Sequence, residues 1–303
     1  MFGDTPLCLP LELERRIFEM SSYSRNDSKH LFNLLLVARY VHDWIKPILY
    51  QTFLQSPKTR VPDIERYPTL DLNKIGKFGR NLLFSEEISH FQVTSLLSIF
   101  PNVENLAIWT NRTDLAHFQG CVEFQRLPLR RLSVFVASLT NIRLVGAPFQ
   151  SLTHLELIRT RKEPWDSWKP LTALPRLTHL LINSVIPEKI AGNLLQLCPH
   201  LFCLIQLVSV YVVDKWTEEK RAHLCSNGGD HRFVSLTYTS EFHFIRDWQE
   251  GLNGGLDSWA RSDCICIARQ RKYFMDPASY WIPNDSSWTA GLNNAGWDWY
   301  LNL

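Results

Sequence analysis

The chain has 303 residues, 45% of them hydrophobic, 12% aromatic and 20% charged, which supplies a sizeable core and excludes disorder as the main state. Thirty-two Lys and Arg against thirty Asp and Glu leave a formal charge of +2, which calls for neither nucleic acid nor an anionic membrane as the main partner. Thirteen Gly and sixteen Pro are too few for a collagen-like or linker-dominated chain, and the length suits about two domains.

In chain order, Met1 to Pro10 carries Asp4 and two prolines, and Glu12, Glu14, Arg15 and Arg16 follow. No basic segment precedes an apolar stretch of the kind a secretory signal uses. The longest apolar run, 201–213, includes Gln206 and Ser209 and falls short of the roughly twenty residues of a membrane helix, so it reads as a buried strand with its flanks. Seven cysteines, at 8, 121, 198, 203, 225, 264 and 266, form no CxxC pair and no disulfide framework. A reduced intracellular protein, cytoplasmic and/or nuclear, is the expectation.

Leu9, Leu13, Ile17 and Met20 recur at helical spacing, and Pro10 suits a first helical turn. A polar break at 21–27 precedes a second helix carrying Leu31, Leu34, Leu35, Val37 and Ala38. Pro47 marks the end of that helix or the first turn of a short third one, Pro47–Phe53. Leu9-Pro10, Glu12-Leu13, Ile17-Phe18, Leu36-Val37-Ala38-Arg39 and Pro47-Ile48-Leu49-Tyr50 resemble an F-box, the helical module that docks substrate receptors onto the Skp adaptor of cullin-based ubiquitin ligases. The family's tryptophan after Val-Cys-Arg-Arg is Val41 here, with Trp44 one turn later. By position, the resemblance implies adaptor contacts from Leu9, Pro10, Leu13, Ile17, Phe18, Leu36 and Val37. The competing reading has some of these, Leu13 and Ile17 above all, holding the module against the rest of the chain.

A period comes next. Val103-x-x-Leu106-x-Ile108, Leu129-x-x-Leu132-x-Val134, Leu152-x-x-Leu155-x-Leu157, Leu177-x-x-Leu180-x-Ile182 and a weaker unit from Leu201 start 26, 23, 25 and 24 residues apart. Leu82 and Phe84 fit an earlier unit, and Phe233-x-x-Leu236-x-Tyr238 a later one. L-x-x-L-x-L at this period is the leucine-rich-repeat signature. The whole chain resembles the fungal F-box proteins with irregular leucine-rich repeats. Alternation along each strand predicts rows across the sheet: Asn105, Arg131, His154, His179; Ala107, Ser133, Glu156, Leu181; Trp109, Phe135, Ile158, Asn183. Trp109, Arg131, Phe135, His154, Glu156 and His179 are the candidate target-binding residues of a concave face, unless a loop or the C-terminal segment covers them. Two stacked histidines without a Cys or second carboxylate are thin support for a metal, and repetition of Leu-Thr-His-Leu explains them.

Six of eleven tryptophans fall after residue 247, and 257–272 reads as a helix. This quarter is either a cap over the last repeat or a further binding surface. No phosphate loop, HExxH, zinc-finger spacing or nucleophile elbow occurs, so no enzyme, cofactor or metal is expected.

The expected fold is therefore α/β: an F-box-like helical bundle at 5–55, a linker at 56–75, an irregular leucine-rich-repeat solenoid with a parallel sheet at 76–240, and a Trp-rich C-terminal cap at 241–303. The resemblance implies a non-catalytic substrate-recognition subunit whose partners are the Skp adaptor, the cullin ligase core and an unknown target, without nucleic acid or membrane. The alternative is a repeat-based interaction scaffold without ligase association.

Overall fold

The computed structural model describes residues 9–22, 28–57, 59–63, 66, 69–85, 88–110, 114–158, 163–217, 219, 229–239, 242–276, 281–283 and 286–303. Most of the polar break, 23–27, and residues 5–8 of the expected helical module lie outside them.

Three helices open the chain: α1 (Leu11–Ser22), α2 (Ser28–Leu35) and α3 (Arg39–Leu49). The Pro10 carbonyl accepts from the N–H groups of Leu13 and Glu14, and Glu12 and Glu14 in the first turn suit the positive end of the helix dipole. Leu34, Val41 and Ile45 form a small buried core, with Phe18, Leu31, Leu35, Ala38, Trp44 and Ile48 packed around it. Val41 is fully buried, while Trp44 leans on Tyr40, with ring centroids 4.9 Å apart. The stretch 47–53 divides differently from the sequence expectation. Pro47 lies inside α3, and Thr52–Gln55 forms strand β1. Phe53 and Leu54 are buried in separate apolar clusters, and pairing with a strand some thirty residues later satisfies backbone groups that a short helix would leave open.

The rest is mixed α/β, built on an open, mostly parallel sheet of ten strands. After β1 and β2 (Arg60–Val61) come β3 (Asn81–Phe84), β4 (Asn105–Ile108), β5 (Arg131–Phe135), β6 (His154–Ile158), β7 (His179–Asn183), β8 (Cys203–Ser209), β9 (Phe233–Tyr238) and β10 (Trp281–Pro283). Their spatial order is β10-β9-β8-β7-β6-β5-β4-β3-β1-β2, and among the described residues only the β1–β2 pair is antiparallel. The apolar run 201–213 contains β8, as its burial predicted. Among the described residues no helix is long and apolar enough to cross a membrane.

The starts of β3 to β8 are pinned alike. Two consecutive N–H groups donate to one carbonyl of the preceding unit: Arg80 and Asn81 to Gln51, Glu104 and Asn105 to Arg80, Arg130 and Arg131 to Glu104, Thr153 and His154 to Arg130, Thr178 and His179 to Thr153, Phe202 and Cys203 to Thr178. This repeated pin sets the register, which a one-residue slip would invert. On one face, Leu82, Leu106, Leu132, Leu155, Leu180 and Leu204 pack against Val93 and Leu97 of α4 (His90–Ile99), Phe118, Phe124, Phe149, Trp168, and Leu194 and Leu195 of α5 (Glu188–Leu197). The capping box of Ser89 and Gln92 starts α4.

The other face carries the predicted rows, and the C-terminal segment lies on it. Helices α6 (Phe242–Leu252) and α7 (Ser258–Gln270) pack there. Leu181, Cys203, Ile205, Leu207, Val234 and Leu236 bury themselves against Ile265, Cys266 and Ala268 of α7, and Phe274, Trp288 and Leu292 complete the cluster. Trp248 of α6 sits with Trp109 over Leu54, Leu83 and Ala107. The tail ends in α8 (Asn294–Leu301), capped by Asn293.

Candidate functional site

The sequence-predicted residues fall into two groups in separate places. On the N-terminal helices, Leu9, Leu13, Ile17 and Val37 are each more than half exposed and Leu36 is 83% exposed. Pro10 is exposed as well, and Phe18 alone of the seven is half-buried, packed toward the small core. Met20 extends the stripe of Leu13 and Ile17 along α1, also exposed. An amphipathic helix normally buries such a stripe. Here α1 meets α3 through Phe18 and holds the connection by Tyr40, whose hydroxyl donates to Glu14 Oε1 at 2.7 Å, so the stripe faces solvent.

The second group lies on the sheet. Asn105, Arg131, His154 and His179 stand side by side in register, as do Ala107, Ser133, Glu156 and Leu181, and Phe135, Ile158 and Asn183. The imidazoles of His154 and His179 stack with centroids 4.2 Å apart and planes 3° from parallel. Each Nδ1 lies 2.8 Å from the hydroxyl of the preceding threonine, and His179 Nε2 is 2.7 Å from Asp263 Oδ1 on α7. The Trp259 ring stands edge-on to both. Burial, then the neighbouring His179 and Arg131, push the His154 pKa down to about 2, so this ring is neutral at physiological pH. Among the described residues no group of three His, Cys, Asp or Glu is placed to hold a metal.

Beside the histidines runs a chain of hydrogen bonds. Trp109 Nε1 donates to Ser133 Oγ at 2.6 Å, and Ser133 Oγ donates to Glu156 Oε2 at 2.5 Å. Burial is the main cause that raises the Glu156 carboxyl to about 7; the serine bond opposes it and Asp247 adds to it. Asp247 on α6 is itself raised to about 6, chiefly by burial, although Ser258 N–H donates to its Oδ2 at 3.0 Å. Asp257 caps α7 through Ala260 N–H and accepts from Arg131 Nη1 at 3.3 Å; burial raises it too. These groups, with Trp109, Trp248, Trp259 and Phe244, enclose a cavity of about 40 Å³.

Of the six residues expected on a concave face, Glu156 and His179 are buried, while Trp109, Arg131, Phe135 and His154 are half-buried at the margin of the helices that cover the face. Asp247, Asp257, Trp259 and Asp263 complete the arrangement and were not foreseen. Asp257 before Ser-Trp-Ala is a readable N-cap, but nothing local says which surface its helix meets. No family model matches the chain, and neither a curated protein nor a solved structure matches it.

Proposed function

We propose that the chain is a substrate-recognition subunit of a Skp–cullin–F-box ubiquitin ligase. In this reading α1–α3 are an F-box-like module and β3–β9 with their connections are an irregular leucine-rich-repeat solenoid. The observation that carries it is the apolar surface of Leu9, Leu13, Ile17, Leu36 and Val37, all exposed and all at positions where the F-box resemblance puts the adaptor. Several exposed apolar residues beside a small, already closed core favour a protein-binding surface. The repeated pinning of strand starts and the 23–26-residue spacing support the repeat reading.

The chain itself performs no chemistry in this mechanism. It holds a target near a charged ubiquitin carrier, which raises the effective concentration of the acceptor lysine. The target meets the margin of the covered face, where Trp109, Arg131, Phe135 and His154 keep part of their surface and Glu156 and His179 fix their neighbours from beneath.

Co-expression with a Skp adaptor followed by size-exclusion chromatography tests the reading. Wild type co-elutes with the adaptor, and Leu9→Asp or Leu13→Asp, each placing a charge on an exposed apolar site, weakens the complex at least about tenfold while the chain stays folded. A folded wild type that elutes alone sinks the ligase reading and leaves the interaction scaffold in its place.

A further inference from the structure

The cavity between the sheet and the C-terminal helices has a composition that packing alone does not require. Its volume of about 40 Å³ admits a few water-sized groups. Glu156 of β6, Asp247 of α6 and Asp257 at the start of α7 line it, with Arg131 of β5 as the one basic lining residue among those described. Arg261 stands behind, its Nη1 4.0 Å from Asp247 Oδ1. With every group ionised, three carboxylates face two guanidiniums, a surplus of one negative charge.

The carboxylates are not equally engaged. Asp257 uses both oxygens, one on Ala260 N–H and one on Arg131. Asp247 accepts from Ser258 N–H. Glu156, only 9% exposed, accepts from Ser133 through Oε2, and among the described residues no donor reaches its Oε1. The cavity that Glu156 lines is also walled by Trp109, Phe244, Trp248 and Trp259, with Trp109 and Phe244 edge to face at 6.2 Å. Aromatic walls with one unpaired carboxylate suit an organic cation: the carboxylate supplies the counter-charge and the rings attract the cation while excluding water. An anion meets the surplus negative charge, and a neutral apolar group leaves Glu156 unpaired.

We propose that this cavity binds an alkylammonium group, with Glu156 as its counter-ion and the tryptophans as its walls. The cavity lies on the face assigned above to the target, so the inference deepens that reading. A lysine side chain of the target and a free small amine share the required chemistry. The small volume favours a primary ammonium over a fully methylated one. Without a cation, Glu156 keeps a proton up to about pH 7. The ammonium then enters as that proton leaves to solvent, so charge in the cavity is conserved. Arg131, Asp247 and Asp257 line the same space, with Arg261 behind Asp247, and these charges shift the midpoint without supplying the missing donor.

The test uses the full chain at pH 8 and follows tryptophan fluorescence during titration with methylammonium chloride, Nα-acetyl-lysine methylamide and, at matched ionic strength, tetramethylammonium chloride. Wild type shows saturable binding of a primary ammonium, at least about tenfold tighter than tetramethylammonium, and Kd rises roughly tenfold per pH unit below Glu156's midpoint. Glu156→Gln keeps an acceptor for Ser133 but removes the charge, and raises Kd at least about tenfold; Asp247→Asn is the second variant and weakens binding less. Tighter binding of the lysine probe assigns the cation to a protein lysine, and tighter binding of methylammonium assigns it to a free amine. No saturable binding, or equal binding by Glu156→Gln, overturns the proposal and leaves a water-filled cavity. Adaptor co-elution is read independently, so either proposal can fail without the other.

Discussion

At the scale of single residues, the carboxyl of Glu156 ties the covered face to pH. Its pKa rises from 4.5 to about 7 because burial disfavours the anion more than the Ser133 bond supports it. The folded chain therefore binds this proton more tightly than the unfolded chain does. The associated stability is complete below pH 4.5 and is lost as pH rises through about 7. Asp247, raised from 3.8 to about 6, acts in the same sense over a lower window. Glu156→Gln cannot ionise and is expected to be more stable than wild type at pH 8, by about 3 kcal/mol at most, with the difference vanishing near pH 4. Urea denaturation of both proteins at pH 4.5, 6 and 8 measures this. A constant difference across the series would show that the side chain is not buried as an acid. The same result bears on the proposed ammonium site, because a variant that folds better than wild type cannot lose binding there by unfolding.

At the scale of elements, the strands were legible and their cover was not. L-x-x-L-x-L announces β4 to β7 because every strand solves the same local problem: alternate residues go to the core and the turn before them is pinned to its neighbour. Helix α7 was readable as a helix over 257–272. The placement of α7 was not readable, since it rests on pairs such as Arg131 with Asp257 and His179 with Asp263, 126 and 84 residues apart. Tertiary partners at that separation leave no period in the sequence. Strand β1 was missed for the same reason, because its partner β3 lies beyond a segment with no repeat signal. Helix α1 shows the converse case, a clear helical stripe whose destination the pattern does not state. Its exposure makes a sharp contrast with α3. Leu13→Asp is expected to change stability by less than about 0.5 kcal/mol, while Ile45→Ala, which empties a fully buried site, costs about 2–5 kcal/mol of the helical unit's stability. Circular dichroism during denaturant titration of the two variants distinguishes them. Comparable losses would mean that the α1 stripe is core and would remove the surface on which the proposed adaptor docking depends.

At the scale of the molecule, the sheet is open at both ends and its second face is apolar toward the C-terminal side. Leu181, Cys203, Ile205, Leu207, Val234 and Leu236 are all at most 2% exposed, and they are hidden mainly by α7 with Phe274, Trp288 and Leu292. Each aliphatic side chain of this size contributes roughly 1.5–3 kcal/mol when buried. Removing everything after residue 239 therefore uncovers a continuous apolar surface and, with β10 gone, also turns β9 into an edge strand that can pair with another chain. A chain ending at residue 239 is expected to be found almost wholly in the insoluble fraction. Removal of 276–303 alone leaves α6 and α7 seated on the sheet, and this shorter deletion is expected to retain a soluble, partly destabilised protein with a lower Tm. The two truncations separate the roles of cap and binding surface for the last quarter of the chain. If the chain ending at 239 stays soluble and monomeric with a cooperative melt, the C-terminal helices are a dispensable layer over a self-sufficient sheet, and the face beneath them is free to receive a partner. If it aggregates, the helices are part of the fold, and the proposed recognition is confined to their margin and the cavity they close.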